Sequence, residues 1–194
     1  MGSGTVAGDG VRAEILRAAA AMLAERGTPA CAADMSDIAA AAGVDRETLD
    51  LWFPSREALL HALYEAALAD LTARLEDARL DRVPIEEAVA RMTRATIAAA
   101  CRHRALGLPD RTPREARLIE RRLAGPLRAV FEHGAAAGHF RADLPVHTLA
   151  ELYFSLLEGV VSRVLRDRLG VEEATAAATT LFLSGALAPP ARRG

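Results

Sequence analysis

The sequence predicts an all-α protein, and three observations carry that prediction. Hydrophobic residues make up 51% of the chain, and many of them are Ala, which favours helix strongly. The apolar residues recur at spacings of three and four, and no window alternates with period two as a half-buried strand would. Gly and Pro interrupt this pattern where helices are expected to end. The 194 residues suffice for one large domain or two small ones.

Charge and cysteine usage narrow the class of protein. The net charge is -2 and all 24 basic residues are Arg, which argues against a general polyanion binder but leaves room for a compact DNA-reading surface. Cys31 and Cys101 lack metal or redox spacing and are expected to be reduced thiols. The chain shows no signal peptide and no apolar run of bilayer length, so we expect a cytoplasmic protein without membrane contact.

The first helix follows a Gly-rich start. Residues 1–10 are predicted to be disordered because of their Gly content. A helix is then predicted from Val11, since its apolar residues fall on one face, and Gly27 and Pro29 are expected to stop it.

Two short helices around a tight turn come next. Asp34 is the predicted N-cap of helix 35–42, and Asp45 is the predicted N-cap of helix 46–52. Gly43 suits the left-handed conformation that the turn between them requires. The arrangement is a helix-turn-helix, whose second helix fits the major groove of DNA.

Longer helices fill the rest of the chain. Pro54 breaks the second helix of the motif, and Ser55 caps a helix that is predicted to run to Arg79. Pro126 is expected to kink or divide the helix that contains it. A loop is predicted over 105–113. The remaining predicted helices span 85–103, 114–137, 146–169 and 172–187.

The last two predicted helices, 146–169 and 172–187, favour self-association. Nine apolar residues between Leu149 and Leu165 form a stripe wider than one intramolecular contact usually requires. A monomer would leave such a stripe partly exposed, so we expect a homodimer through these two helices.

The motif residues resemble a known family. The opening helix, followed by IAAAAGV and TLDLWFPSREALL, resembles the N-terminal domain of TetR-family transcriptional regulators over roughly residues 11–63. The stretch GPLRAVFEHGAAAGHFRADLP resembles the second domain of the family less specifically. The resemblance implies about nine helices, a homodimer, a ligand pocket and double-stranded operator DNA as partner. We therefore expect a ligand-responsive repressor that a small hydrophobic effector releases from a near-palindromic operator.

The predicted domains follow from this comparison. They are a disordered N-terminus (1–10), a helix-turn-helix DNA-binding domain (11–55), a helical ligand-binding and dimerisation domain (56–188) and a C-terminal tail (189–194).

The resemblance assigns DNA contacts to the motif and to the start of the following helix. Arg46 is predicted to pair with guanine or with a phosphate. Trp52 either packs on the sugar–phosphate backbone or covers the local core, and Thr48 either contacts DNA or lies on the helix surface. Glu47 either accepts from a cytosine amino group or is solvated. The full predicted set is Ser36, Asp45, Arg46, Glu47, Thr48, Asp50, Trp52, Ser55 and Arg56.

Asp50 departs from the family pattern, which usually places a phosphate-contacting Tyr there. A carboxylate at that position is expected to repel phosphate. Residues 1–60 contain five Arg and nine acidic residues, a net charge of -4, so non-specific affinity for DNA should be weak. These features keep an alternative open, in which the chain is a helical dimer that binds a small molecule or protein and has reduced or lost DNA binding.

The candidate effector residues come from the second domain. Ordinary core packing is the alternative for those that would line a pocket, and a surface or capping role is the alternative for His103. His103 and Tyr153 are expected to supply polar contacts. No phosphate loop, nucleophile elbow or Cys/His metal set occurs, so we expect neither an enzyme nor a cofactor or metal. The candidates are Met92, Ile97, Cys101, His103, Leu118, Leu123, Phe131, Tyr153 and Phe154.

Overall fold

The computed structural model describes residues 3–26, 34–103 and 113–188, and these residues form helices without a strand. The predicted all-α class is therefore confirmed. Cys31, the breakers Gly27 and Pro29, most of the predicted loop and the tail 189–194 lie outside the described residues. The helices are α1 (Ser3–Arg26), α2 (Met35–Ala41), α3 (Arg46–Trp52), α4 (Arg56–Asp77), α5 (Ile85–Arg102), α6 (Pro113–Ile119), α7 (Gly125–Ala136), α8 (Val146–Leu165) and α9 (Val171–Ala186).

Helix α1 begins earlier than the sequence predicts. It starts at Ser3, so residues 3–10 are helical, whereas their Gly content predicts disorder. Extending an existing helix closes one hydrogen bond for each residue that is fixed, which costs far less than starting a new helix. Attachment to the following apolar turns therefore offsets the cost of the Gly residues.

The turn of the helix-turn-helix forms as predicted. Gly43 has φ +68°, in the left-handed region that favours glycine. Its N–H donates to the carbonyl of Ala40 at 3.1 Å, and the N–H of Val44 donates to that of Ala39 at 3.0 Å. This pair of bonds closes the end of α2 and reverses the chain within two residues.

The helical segment that contains Pro126 is not divided at that residue. A π-helical segment, Glu120–Ala124, joins α6 directly to α7. The buried apolar residues explain the wider turn, because their spacings along the chain are five, four and four. An α-helix would turn residues five apart away from each other, whereas a π-turn aligns them. These residues are Leu118, Leu123, Leu127 and Phe131.

Helix α8 ends at Leu165, four residues before its predicted end. Asp167 takes a left-handed conformation with φ +55°, and the N–H of Arg168 donates to the carbonyl of Arg163 at 3.0 Å. This closure terminates the helix in the way that glycine usually does. The apolar periodicity does not reveal it, because Leu169 continues the stripe.

The buried residues form two main cores that meet along α4. The N-terminal core unites α1, α2 and α3 with the start of α4, up to Leu63. The C-terminal core begins at Tyr64 and continues through α5, α6, α7, α8 and α9. A smaller cluster joins α5, α8 and α9 around Ile97 and Val161. Helix α4 is therefore the element through which both cores are packed.

A close approach at Gly134 supports a prediction about the C-terminal core. A Cβ atom at this position would lie 2.6 Å from the ring of Phe140 and 2.9 Å from the end of Ile85. Ala favours helix over Gly by up to about 1 kcal/mol. Overpacking a closed core costs about 1–3 kcal/mol, so we expect Gly134→Ala to be destabilising overall.

Urea unfolding followed by circular dichroism measures this effect, with Gly10→Ala as the matched control. Gly10 is exposed in α1, and a Cβ there meets nothing within 4 Å, so that substitution should be neutral or stabilising. Equal midpoints for the two variants would show that the core around Phe140 yields to the added methyl group.

Candidate nucleic-acid interface and effector site

Helix α3 presents an outer face to solvent. Leu49 and Phe53 anchor it in the N-terminal core, and α2 packs behind it. Leu51 lies on the opposite side and is 81% exposed, while Trp52 is 36% exposed. Glu47 is also exposed, and Thr48 is half-buried. The outer face therefore combines a large apolar side chain with polar ones, and side chains of both kinds can contact base edges.

Side-chain caps fix the beginnings of α3 and α4. The carboxylate of Asp45 accepts from the backbone N–H of Thr48 at 2.6 Å, which holds the pKa of Asp45 below its usual range. The hydroxyl of Ser55 accepts from the N–H of Ala58 at 3.2 Å. Both predicted caps form. Asp45 and Ser55 therefore fix the geometry of the motif, while Oδ2 of Asp45 and the hydroxyl proton of Ser55 are not used in these caps.

Arg46 lies at the centre of a polar network between α2 and α3. Its Nε donates to Asp50 Oδ1 at 2.9 Å, and its Nη1 donates to Ser36 Oγ at 3.5 Å. Asp34 Oδ1 lies 4.0 Å from the same Nη1 and accepts from the N–H of Ser36 at 3.1 Å. Asp50 is thus paired with Arg46, which the prediction of simple phosphate repulsion did not include. Arg56 begins α4 and is half-buried.

Leu51 is not among the DNA contacts predicted from the sequence, although the sequence contains a signal for it. Residues two apart in an α-helix are separated by about 200° around the axis, so the residue two after a core anchor faces away from the core. Leu49 is such an anchor, so the spacing places Leu51 on the outer face of α3.

The candidate effector residues occupy three places. Most lie in the C-terminal core, with Phe154 at its edge, while Ile97 and Cys101 belong to the smaller cluster. His103 lies near the surface, where its Nε2 is 3.1 Å from Asp70 Oδ2. Hydrogen bonds from Arg74 and then from His103 lower the pKa of Asp70. The residues in the C-terminal core are Met92, Leu118, Leu123, Phe131 and Tyr153.

A buried hydroxyl pair lies in this core. Tyr153 Oη is 3.0 Å from Thr93 Oγ1, and Thr93 donates to the carbonyl of Val89 at 2.8 Å. Because the Thr93 proton is used in that bond, the phenol of Tyr153 is the donor of the pair. Burial raises the pKa of Tyr153, so it stays neutral at ordinary pH. Sequence reasoning selected Tyr153 but not Thr93, whose only signal is a hydroxyl on an apolar helix face.

An open groove of about 490 Å³ lies between α4 and the π-helical segment. None of the predicted effector residues lines this groove. Three small side chains and one Glu of α4 form one wall, and Arg122 forms the other. The lining residues are Ala69, Thr72, Ala73, Glu76 and Arg122.

The described residues contain no cluster of three or more His, Cys, Asp or Glu that could hold a metal ion. Among the same residues, no helix combines the length and the hydropathy needed to span a bilayer.

A known protein family matches the region of the chain that forms the N-terminal core. The family described as bacterial regulatory proteins, tetR family, matches residues 15–63. These residues cover the second half of α1, all of α2 and α3, and the first turns of α4. No curated protein matches the chain in sequence.

Solved structures match the whole architecture. The fatty acid degradation regulator FadR from Bacillus halodurans has a TM-score of 0.75 at 21% identity, covering 90% of this chain and 95% of that one. PfmR from Thermus thermophilus, a TetR family transcriptional regulator, has a TM-score of 0.72 at 25% identity, covering 88% and 97%. LfrR from Mycobacterium smegmatis, solved with proflavine, has a TM-score of 0.67 at 23% identity, covering 90% and 95%.

Proposed function

We propose that this chain, a member of the TetR family of bacterial regulatory proteins, is a cytoplasmic repressor that a small organic effector releases from its operator. The observation that carries the proposal is the outer surface of α3. The Asp45 cap and the Gly43 turn hold this helix in place and leave Leu51 and Arg46 at the surface.

The proposed DNA contacts follow from that surface. Arg46 pairs with guanine or a phosphate, Leu51 packs on a thymine methyl group, and Glu47 and Thr48 flank them. Ser36 on α2 and Arg56 on α4 are the proposed phosphate contacts beside α3. Trp52 packs on the backbone with its exposed part. The proposed DNA-binding domain comprises residues 11–55.

We propose that two copies join through α8 and α9 within the second domain, 56–188. The apolar stripe of α8 is largely used inside one protomer, since Val161 and its buried neighbours pack in the protomer's own cores. The large apolar side chains that stay exposed on these two helices are Leu152 of α8, at 55%, and Leu181 of α9, at 68%. Exposed Gly159 and Gly185 lie nearby in sequence and allow helices to approach closely. The proposed interface is therefore narrower than the stripe in the sequence.

We propose that the effector enters from the groove beside Arg122 and binds in the C-terminal core. The phenol oxygen of Tyr153 donates to Thr93 and keeps its acceptor capacity, so it would accept a hydrogen bond from an effector. Helix α4 forms one wall of the groove and also packs in the N-terminal core. A ligand that moves α4 would change the spacing of the two recognition helices and favour the DNA-free state.

The acidic N-terminal region favours one alternative. Its net charge of -4, together with the pairing of Arg46 by Asp50, is unusual for a protein that binds a polyanion. In this alternative the chain is a ligand-binding or protein-binding helical dimer that has reduced or lost DNA binding.

Selection of bound sequences from random duplex DNA with the purified full chain tests the two functions. We expect enrichment of a near-palindromic sequence whose half-sites are centred about 34 Å apart, one turn of DNA or a multiple of it. Failure to retain any duplex even at low salt, where non-specific affinity is greatest, would favour the alternative.

A further inference from the structure

We infer that Asp50 is a positioning residue that holds the Arg46 guanidinium for base readout and thereby sets the specificity of α3 at the base pair Arg46 contacts. The inference rests on the proposed function, and it changes the role of Asp50 from simple repulsion of phosphate to control of a neighbouring cation.

The geometry restrains the guanidinium from two sides. Asp50 Oδ1 lies 2.9 Å from Nε, and Ser36 Oγ lies 3.5 Å from Nη1. The first contact comes from α3 itself, and the second comes across from α2. In the described part of the chain no residue hydrogen-bonds Nη2 of Arg46. The N–H groups of Nη2 are therefore available to donate to a base edge.

The ion pair between Arg46 and Asp50 is poorly placed to stabilise α3. Both side chains are nearly half exposed, and exposed ion pairs contribute little. An i,i+4 pair with the cation at the N-terminal position has the less favourable orientation. Arg46 also sits in the first turn of α3, where the positive helix end disfavours a cation. Because stability explains the arrangement badly, a role in recognition is the better account.

Restraint of Arg46 affects specific and non-specific binding in opposite ways. A guanidinium that is already oriented loses less side-chain freedom when it meets its base. The carboxylate also offsets its charge, which weakens attraction to phosphates of any sequence. Both effects raise the ratio of specific to non-specific affinity, and this ratio determines how well a regulator finds its site.

The experiment compares Asp50→Asn with Glu47→Gln, each made alone and together with Arg46→Ala. Both substitutions remove one negative charge from α3, but only Asp50 bonds to Arg46. The readouts are base preference by selection from random duplexes and the affinities for the selected site and for an unrelated duplex. Asp50→Glu is added because it keeps the charge and moves the carboxylate.

We expect Asp50→Asn to reduce the ratio of specific to non-specific affinity on the order of tenfold. The preference should weaken at the same base pair that Arg46→Ala affects. With Arg46 already replaced, Asp50→Asn should leave base preference unchanged, whereas Glu47→Gln should act equally in both backgrounds. Asp50→Glu should weaken the preference while keeping non-specific affinity low.

Three results would overturn the inference. If Asp50→Asn tightens specific and unrelated duplexes equally, or acts the same with Arg46 present or absent, Asp50 repels phosphate and does not position Arg46. If wild-type protein selects no sequence, the proposed function fails and the inference fails with it. Thermal melting of every variant verifies that each one is folded.

Discussion

Leu181→Arg is expected to convert the protein to monomers and to remove most of its affinity for a full operator. Leu181 is 68% exposed on α9, so the substitution does not disturb the interior of one protomer. In the proposed dimer the new charge would be buried without a partner, a cost of several kcal/mol. Size-exclusion chromatography with light scattering measures the mass, and DNA titration shows whether half-sites are bound separately.

Leu51→Arg is the matched control, because it places the same charge on another exposed Leu, far from α8 and α9 in the chain. That variant should remain dimeric. A Leu181→Arg protein with the mass of a dimer and native thermal stability would exclude this face as the interface. Val161→Arg would not test the interface, since Val161 is buried in its own protomer and the charge would disrupt that packing.

Phe131→Ala is expected to lower the free energy of unfolding by about 3–5 kcal/mol, as for large aromatic residues removed from closed cores. The Phe131 ring is fully buried, and its centroid lies 5.8 Å from that of Phe140 and 5.3 Å from that of Tyr153. It also meets Phe182 edge-on at 5.6 Å. One side chain thus connects α7, α8 and α9, and its loss leaves a cavity among all three.

Phe154→Ala provides the comparison for this prediction. Phe154 is partly buried at the edge of the same core, where its ring lies 6.0 Å from that of Tyr153. Its removal should cost clearly less than removal of Phe131. Chemical unfolding at one fixed protein concentration keeps the contribution of dimerisation constant. If the two variants unfold at the same midpoint, the aromatic cluster does not organise the C-terminal core.

The helix-turn-helix could be predicted from sequence because its determinants are local. Asp45 and Ser55 act on N–H groups three residues away, and Gly43 acts through its own backbone. Such signals are complete within one short window. Asp45 and Pro54 likewise predicted both bounds of α3, and repeated apolar spacing predicted those of the longer helices to within a few residues, except at the start of α1 and the end of α8.

Features that depend on which distant part of the protein packs against a side chain were harder to predict. The stripe on α8 looks uniform in sequence, yet Val161 faces its own protomer and Leu152 faces solvent. Asp50 could have been paired with Arg46 by their separation of four residues, but comparison with the family pattern directed attention to its charge alone. The pairing of Tyr153 with Thr93 joins residues sixty positions apart, and no local pattern encodes it.

The π-helical segment makes the chain one residue longer than an α-helical connection between the same core positions would. Leu123 follows Leu118 at a spacing of five positions, whereas in an α-helix a spacing of four brings two side chains to one face. The segment therefore contains one amino acid more than its packing requires. A single in-frame codon deletion within it would convert the wide turn to an ordinary one and keep α7 in register with the core. An insertion or deletion inside α7 would instead rotate Phe131 out of the core.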